Sequence, residues 1–124
     1  MQVVNLADKF ASFNEHYSPK IVGELNNFLM KLVKVKGEFV WHHHDAEDEM
    51  FMVTKGELHI KFREADGSER DETIRPGEFI IVPHGVEHKP YAKEEVHVIL
   101  FEPATTLNTG NVQNERTLPE LQRI

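Results

Sequence analysis

The sequence predicts a single all-β domain, an antiparallel sandwich or barrel with a short N-terminal helix and a C-terminal arm. The first observation is strict alternation of apolar and polar residues over 57–64, where Leu58, Ile60 and Phe62 share one face. Such alternation indicates a strand with one buried face and one face in water. The second is that short apolar runs separated by turn signals recur about every 8–12 residues, which is typical of sandwiches and barrels. A length of 124 residues fits one such domain.

The predicted chain has three parts. Residues 1–18 form an N-terminal segment, in which apolar residues at helical spacing predict a helix over 5–15. Residues 19–103 form the barrel. Residues 104–124 lose the periodicity and form a C-terminal extension, which we expect to be an ordered loop followed by a short helical end or an arm.

Turn signals mark the strand ends in the middle of the chain. Asp66–Ser68 predicts a hairpin turn, because its central glycine adopts a positive φ at little cost. Arg75–Gly77 and Pro83–Gly85 predict two further turns. Between these two turns we expect a buried strand over 79–83, and a last strand with apolar residues on both faces follows over 95–102.

Composition excludes several classes of site and partner. The chain has no cysteine, so disulfides, iron–sulfur clusters, thiolate zinc sites and cysteine nucleophiles are excluded. With 21 acidic and 14 basic residues the formal charge is −7, which disfavours nucleic acid and anionic membranes as partners. No apolar run exceeds four residues, and the N-terminus lacks the features of a signal peptide. We therefore expect a soluble, cytoplasmic protein that binds neither nucleic acid nor a membrane.

Three histidines and one glutamate follow a spacing that suits a metal site. His42 and His44 stand two apart in a predicted strand, so both project from one face while His43 points to the other. After a four-residue turn, Glu49 begins the next predicted strand, which returns beside the first. His88 follows a later turn, again at a predicted strand start. Three neutral imidazoles and one carboxylate suit zinc, iron, nickel, manganese or copper.

The competing interpretation is a polar surface, since histidine runs and acidic stretches are commonly solvated turns. The wider spacing favours the site. His42-x-His44, four residues, Glu49, six residues and Gly56 resemble the first cupin motif, G-x5-HxH-x3,4-E-x6-G. One departure is that Gly37 precedes His42 by one residue fewer than this pattern requires.

The second cupin motif, G-x5-PxG-x2-H-x3-N, is matched further along the chain. Gly77, five residues, Pro83-x-Gly85, two residues and His88 fit it, and the closing asparagine is replaced by Ala92. Neither departure affects a ligand position. The chain therefore resembles the cupin family from residue 37 to about residue 91, and with the flanking strands, which are compatible, the resemblance covers most of its length.

This resemblance implies a double-stranded β-helix, or jelly-roll barrel, that holds one divalent metal ion, Zn, Fe, Ni or Mn. It assigns the ligand roles to the residues at the matching positions, which are His42, His44, Glu49 and His88. Trp41 shares the opposite face with His43. We assign no metal-site role to the histidines at the remaining positions, which are His16, His59, His84 and His97.

The strand phase also predicts the walls of the site. Val40 shares a face with His42 and His44, while Phe51 and Val53 share one with Glu49. A mostly apolar pocket around one polar centre is the usual form of a small-molecule site. Four protein ligands leave one or two metal positions open for chemistry.

Two functions remain open at this point. The first is an enzyme acting on a small oxygen-bearing molecule; the resemblance is closest to cupins called mannose-6-phosphate isomerase-like and to small dioxygenases. The second is a non-catalytic barrel that holds a metal or senses a small ligand. We also expect a homodimer, for which the apolar-rich stretch 22–35 offers a contact surface.

Overall fold

The computed structural model describes residues 1–124 and confirms the all-β class. One helix, α1 (Leu6–Ala11), precedes seven strands. The strands are β1 (Lys20–Leu25), β2 (Phe28–Glu38), β3 (Glu49–Lys55), β4 (Leu58–Arg63), β5 (Glu69–Ile74), β6 (Phe79–Val82) and β7 (Glu87–Pro103). The chain contains no helix with the length and apolar character needed to span a bilayer.

The long strand β7 organises the sheet. It pairs with β4 over Glu87–Tyr91, with β3 over His97–Phe101 and with β2 over Tyr91–Pro103, always antiparallel. Beyond these neighbours, β1 extends the sheet from β2, β6 extends it from β3, and β5 pairs with β4. Because β7 pairs with different strands along its length, the sheet curls around an enclosed core.

Fifteen buried residues form this core. Leu58, Ile60 and Phe62 of β4 are at most 3% exposed, so the alternation predicted for that strand is confirmed. Phe51 and Val53 of β3 belong to the same cluster, as the strand phase predicted. The other members are Tyr17, Val33, Val35, Phe39, Ile74, Val82, Ala92, Val96, Val98 and Leu100.

The N-terminal helix exists but has six residues, fewer than the predicted span 5–15. The side chain of Asn5 caps it by accepting a hydrogen bond from the Asp8 N–H at 3.0 Å. Phe13, which completes the apolar pattern, lies beyond the helix yet still packs beside Phe10 on the outer face of the sheet. The apolar spacing therefore predicted which residues are buried better than it predicted how long the helix is.

The apolar-rich stretch 22–35 is interrupted by a turn that the sequence analysis did not predict. Asn26 adopts a φ of +55°, and the chain reverses there to make β1 and β2 a hairpin. Asparagine adopts this conformation more readily than most residues with a side chain.

The predicted buried strand over 79–83 is wrong in its burial. Phe79 and Ile81 of β6 are 57% and 56% exposed, whereas Val82 is buried. The strand lies at the edge of the sheet, where β3 is its partner, and its outward-facing residues have no covering layer. An unbroken apolar run was therefore no guide to burial on both faces.

The C-terminal extension forms turns and bends; of the two predicted endings, a short helical end or an arm, the helical end is absent. Two of its residues, Thr106 and Thr109, are buried all the same, with Thr109 at 0% exposure. Its end returns to the barrel, where Arg123 forms a bridge with Ile21 of β1. The extension is thus an ordered loop that packs on the body of the protein.

Candidate metal centre

The structure brings His42, His44, Glu49 and His88 into one cluster. One potential ligand atom from each residue lies within 4.8 Å of those of the other three, and all four residues are buried. Glu49 opens β3 and His88 is the second residue of β7, as predicted for strand starts. Residues that are far apart in the sequence, from His42 to His88, therefore lie together in the fold.

The predicted strand that carries His42 and His44 is largely absent. Residues 39–48 have no regular structure except a single bridge between His42 and His88. The chain is nevertheless extended enough to preserve the alternation, because His43 lies on the other side, where its Nε2 is 2.9 Å from Asp45. The predicted alternation is therefore preserved, although the predicted strand is not.

Backbone carbonyls orient two of the imidazoles. His42 Nδ1 lies 2.9 Å from the Val40 oxygen, and His88 Nδ1 lies 2.9 Å from the Val86 oxygen. A carbonyl can only accept, so each Nδ1 carries the proton and each Nε2 is left with a lone pair. This arrangement is the one that histidine ligands of metals commonly show.

Unpartnered polar atoms support the fit of this cluster to a metal ion. His44 Nδ1 and Nε2, Glu49 Oε1 and His88 Nε2 are buried and have no hydrogen-bond partner. Glu49 Oε1 lies 3.5 Å from His44 Nε2 and 3.4 Å from His88 Nε2. Buried polar atoms without partners are rare and need an explanation, and a cation bound between the nitrogens and the oxygen provides one.

The electrostatic environment favours the protonation states that bind metals. Burial, helped by the nearby His88, lowers the pKa of His42 to about 4. Burial also opposes ionisation of Glu49, but the neighbouring polar groups of Glu102, His44 and His88 outweigh it and hold the pKa of Glu49 well below its usual range. At neutral pH the cluster therefore offers a neutral imidazole at His42 and an ionised carboxylate.

A cavity of about 40 Å³ lies beside His42 and Glu49. Its walls are mainly apolar and include Phe51, as the strand phase predicted. The prediction was wrong for Val40 and Val53, which do not line the cavity, and Phe39 lines it instead. Polar groups in the wall come from residues that the sequence analysis did not single out: Tyr17, Glu102 and Asn108.

Glu102 belongs to a buried ion pair beside this cavity. Its Oε1 lies 2.7 Å from Lys31 Nζ, and both side chains are 2% exposed. Burial and the negative charge of Glu49 raise the pKa of Glu102 well above its usual range, against the attraction of Lys31. The strand phase could have identified both residues, since Lys31 shares a face of β2 with buried Val33, and Glu102 shares a face of β7 with buried Leu100.

The histidines without an assigned role lie outside the cluster. His16 is 2.8 Å from Glu95, and His84 is 2.9 Å from Asp48. The remaining two pack against aromatic rings, His59 on Tyr91 and His97 on Phe10.

Residues 29–102, more than half of the chain, match the Cupin_2 family, described as the cupin domain. The chain belongs to the cupin family. A cupin-2 domain containing protein from Shewanella frigidimarina is 48% identical, with a TM-score of 0.76 over 82% of this chain and 94% of that one. A Neisseria meningitidis protein is 31% identical, with a TM-score of 0.72 over 83% of this chain and 100% of that one. The barrel is accordingly the jelly roll that the motifs implied.

Two further relatives extend the comparison. The uncharacterized protein YdbB of Bacillus subtilis is 31% identical over 68 residues, which span 55% of this cupin and 57% of that protein. The hydroquinone 1,2-dioxygenase PnpCD, solved in complex with Fe³⁺, is 19% identical, with a TM-score of 0.75 over 85% of this cupin and 33% of that chain. At this identity the dioxygenase supports the shared fold alone.

Proposed function

We propose that this cupin binds one divalent metal ion through His42, His44, Glu49 and His88 and acts as an enzyme on a small oxygen-bearing molecule. The observation that carries the proposal is the convergence of buried nitrogen and oxygen atoms without hydrogen-bond partners. Leaving such atoms unpaired destabilises a fold, so a bound cation is the natural partner for them.

Three nitrogens and one oxygen suit Zn, Fe, Ni or Mn. Such an ion, with positions left open by the protein, supplies Lewis-acid or redox chemistry to a bound substrate. The protein's part is to orient the ligands through Val40 and Val86, to keep His42 neutral and to keep Glu49 ionised.

The cavity next to the cluster is the proposed substrate site. Its mainly apolar walls lower the local polarity, which strengthens polar contacts within it. Glu102 Oε2 is buried in this region without a hydrogen-bond donor, which leaves it available to a hydroxyl group of a substrate. A substrate with one oxygen near His42 and Glu49 and an apolar body would match the chemistry of this lining.

Between isomerase-like and dioxygenase-like chemistry, the lining favours the second. A phosphosugar needs cations for its phosphate group, and no lysine or arginine lines this cavity. The nearby Lys31 is already paired with Glu102.

The alternative proposal is a non-catalytic barrel that holds a metal or senses a small ligand, and the small volume of the cavity favours it. The experiment that separates the two begins with metal analysis of the purified protein. Oxygen consumption with phenols and diphenols, and isomerisation of sugar phosphates, are then measured with the native metal. Turnover lost in His88→Ala supports an enzyme, whereas tight ligand binding without turnover supports the sensor.

We also propose a cytoplasmic location, in line with a chain that lacks cysteine.

A further inference from the structure

The C-terminal extension lies directly against the segment that carries His42 and His44. This extension follows β7 and lies outside residues 29–102, the part that matches the cupin domain. Since residues 39–48 have little regular structure, something other than a β-ladder must hold their backbone in place.

The backbone of this segment is held at three consecutive residues. His42 exchanges two hydrogen bonds with His88, and the His44 oxygen accepts from the Gly85 N–H at 2.7 Å. His43, between them, is held by Asn111 of the extension: the Asn111 N–H donates to the His43 oxygen at 3.0 Å, and the Asn111 Oδ1 accepts from the His43 N–H at 2.9 Å. Asn111 thus satisfies both backbone groups of the residue between the two histidines.

The preceding residue, Gly110, makes this approach possible. A Cβ atom there would lie 2.2 Å from the His43 oxygen and 3.1 Å from His42 Cδ2. Gly110 also has a φ of +55°, which favours glycine. Any side chain would therefore push the extension away from the histidine segment.

The extension is rigid enough to act as a support. Thr109 is fully buried, and its Oγ1 is bonded to the Val112 oxygen at 2.6 Å and to Thr117 Oγ1 at 2.7 Å. Asn108 uses both ends of its amide, donating to the Arg116 oxygen at 2.8 Å and accepting from the Leu118 N–H at 2.9 Å.

We infer that Gly110 and Asn111 are positioning residues that hold His42 and His44 in the geometry needed to bind the metal. The inference rests on the proposed metal site and concerns how this chain builds it. Outer hydrogen bonds that orient metal ligands change affinity by about 10–100-fold in other metal sites. Asn111 acts one residue from each histidine, through the backbone, so we expect an effect at the lower end of this range.

The test measures Zn²⁺ and Co²⁺ affinity by isothermal titration for Asn111→Ala, Asn111→Asp and the wild type. Asn111→Ala removes the acceptor for the His43 N–H and should weaken binding about 10-fold. Asn111→Asp keeps that acceptor and should restore affinity. Asn114→Ala is the matched control, because the Asn114 Oδ1 accepts from the Arg116 N–H within the extension and does not contact His43. The visible spectrum of bound Co²⁺ should change in Asn111→Ala and not in Asn114→Ala.

Thermal unfolding of the metal-free variants separates positioning from simple stability. Equal losses of affinity in Asn111→Ala and Asn114→Ala, in step with equal losses of melting temperature, would overturn the inference. Wild-type affinity in Asn111→Ala would overturn it too, and Gly110→Ala provides a second, larger perturbation of the same contact. If the wild type binds neither ion, the proposed metal site itself is wrong, which is a different result from equal binding by all variants.

Discussion

His42 and His88 exchange both of their backbone hydrogen bonds, the His42 N–H donating to the His88 oxygen at 3.1 Å and the His88 N–H to the His42 oxygen at 2.9 Å. Their ring centroids are 4.3 Å apart. This isolated bridge joins the segment after β2 to the start of β7. The spacing of the two imidazoles is therefore set by the backbone before any ligand binds, which is how a preorganised site is built.

The first prediction concerns the four clustered residues. His88→Ala and Glu49→Ala should each lose most of the metal, which we expect at about one ion per wild-type chain. Changes to outer hydrogen bonds alone weaken metal binding about 10–100-fold, so removal of a ligand should weaken it more than about 100-fold. Metal content by mass spectrometry and affinity by titration calorimetry measure this.

The control for these variants is His43→Ala. Its side chain lies outside the cluster, beside Asp45, so the variant should keep its metal. Full metal retention by both His88→Ala and Glu49→Ala would show that the ion, if present, binds elsewhere.

The second prediction is that the metal-free protein loses stability as the pH falls from about 6.5 to about 4. Burial lowers the pKa of His42 from 6.5 to about 4. Within this window the unfolded chain binds a proton at His42 that the folded chain does not, so acid favours unfolding. A shift of this size corresponds to roughly 3 kcal/mol, present in full above about pH 6.5 and lost toward pH 4.

Urea unfolding of the metal-free protein at several pH values measures this loss, with His42→Gln as the comparison. The glutamine does not titrate, so the difference between wild type and variant isolates His42 from the other ionisable groups. Parallel stability curves for the two proteins would contradict the assigned pKa.

The sequence predicted which four residues lie together in the candidate site better than it predicted the secondary structure around them. The numbers of residues that separate His42, Glu49 and His88 from the neighbouring turn glycines match the strands and turns that bring these side chains together. Such spacings can be seen in a linear motif. The hairpin turn at Asn26 depends on a local conformation that no glycine signalled. The first half of β7 is polar and contains Pro90, and it becomes a strand because β4 pairs with it. Pairing partners distant in sequence decide such elements.

The third prediction is a homodimer formed through the outer face of the sheet. Ile81, Met50, Phe101 and Met30 are register neighbours on successive strands and point outward, so they make an apolar row across the face. Phe79 adds a second exposed apolar side chain on β6. Contiguous exposed apolar patches are found at protein–protein contacts more often than the rest of a protein surface is.

Light scattering at micromolar concentration should give twice the monomer mass. Ile81→Lys should shift the protein toward monomer, because a charge on the row would be buried in the contact. Ser68→Lys, at an exposed hairpin turn, adds the same charge away from the row and should leave the mass unchanged. A monomeric wild type would count against the dimer.

The last prediction concerns Lys31 of β2 and Glu102 of β7. Lys31 Nζ lies 2.7 Å from Glu102 Oε1 inside the barrel. Lys31→Met removes the cation that interacts with the carboxyl group of Glu102, which is only 2% exposed. Breaking one side of a buried pair destabilises proteins by about 3–5 kcal/mol, whereas replacement of both partners by apolar residues of similar volume is often neutral. Because the pKa of Glu102 is already raised, protonation of this carboxyl offsets part of the loss. Lys31→Met should therefore unfold at lower urea, and Lys31→Met combined with Glu102→Leu should recover most of the loss. Equal instability of the single and double variants would mean that packing by the Lys31 stem, rather than its charge, supports this part of the barrel.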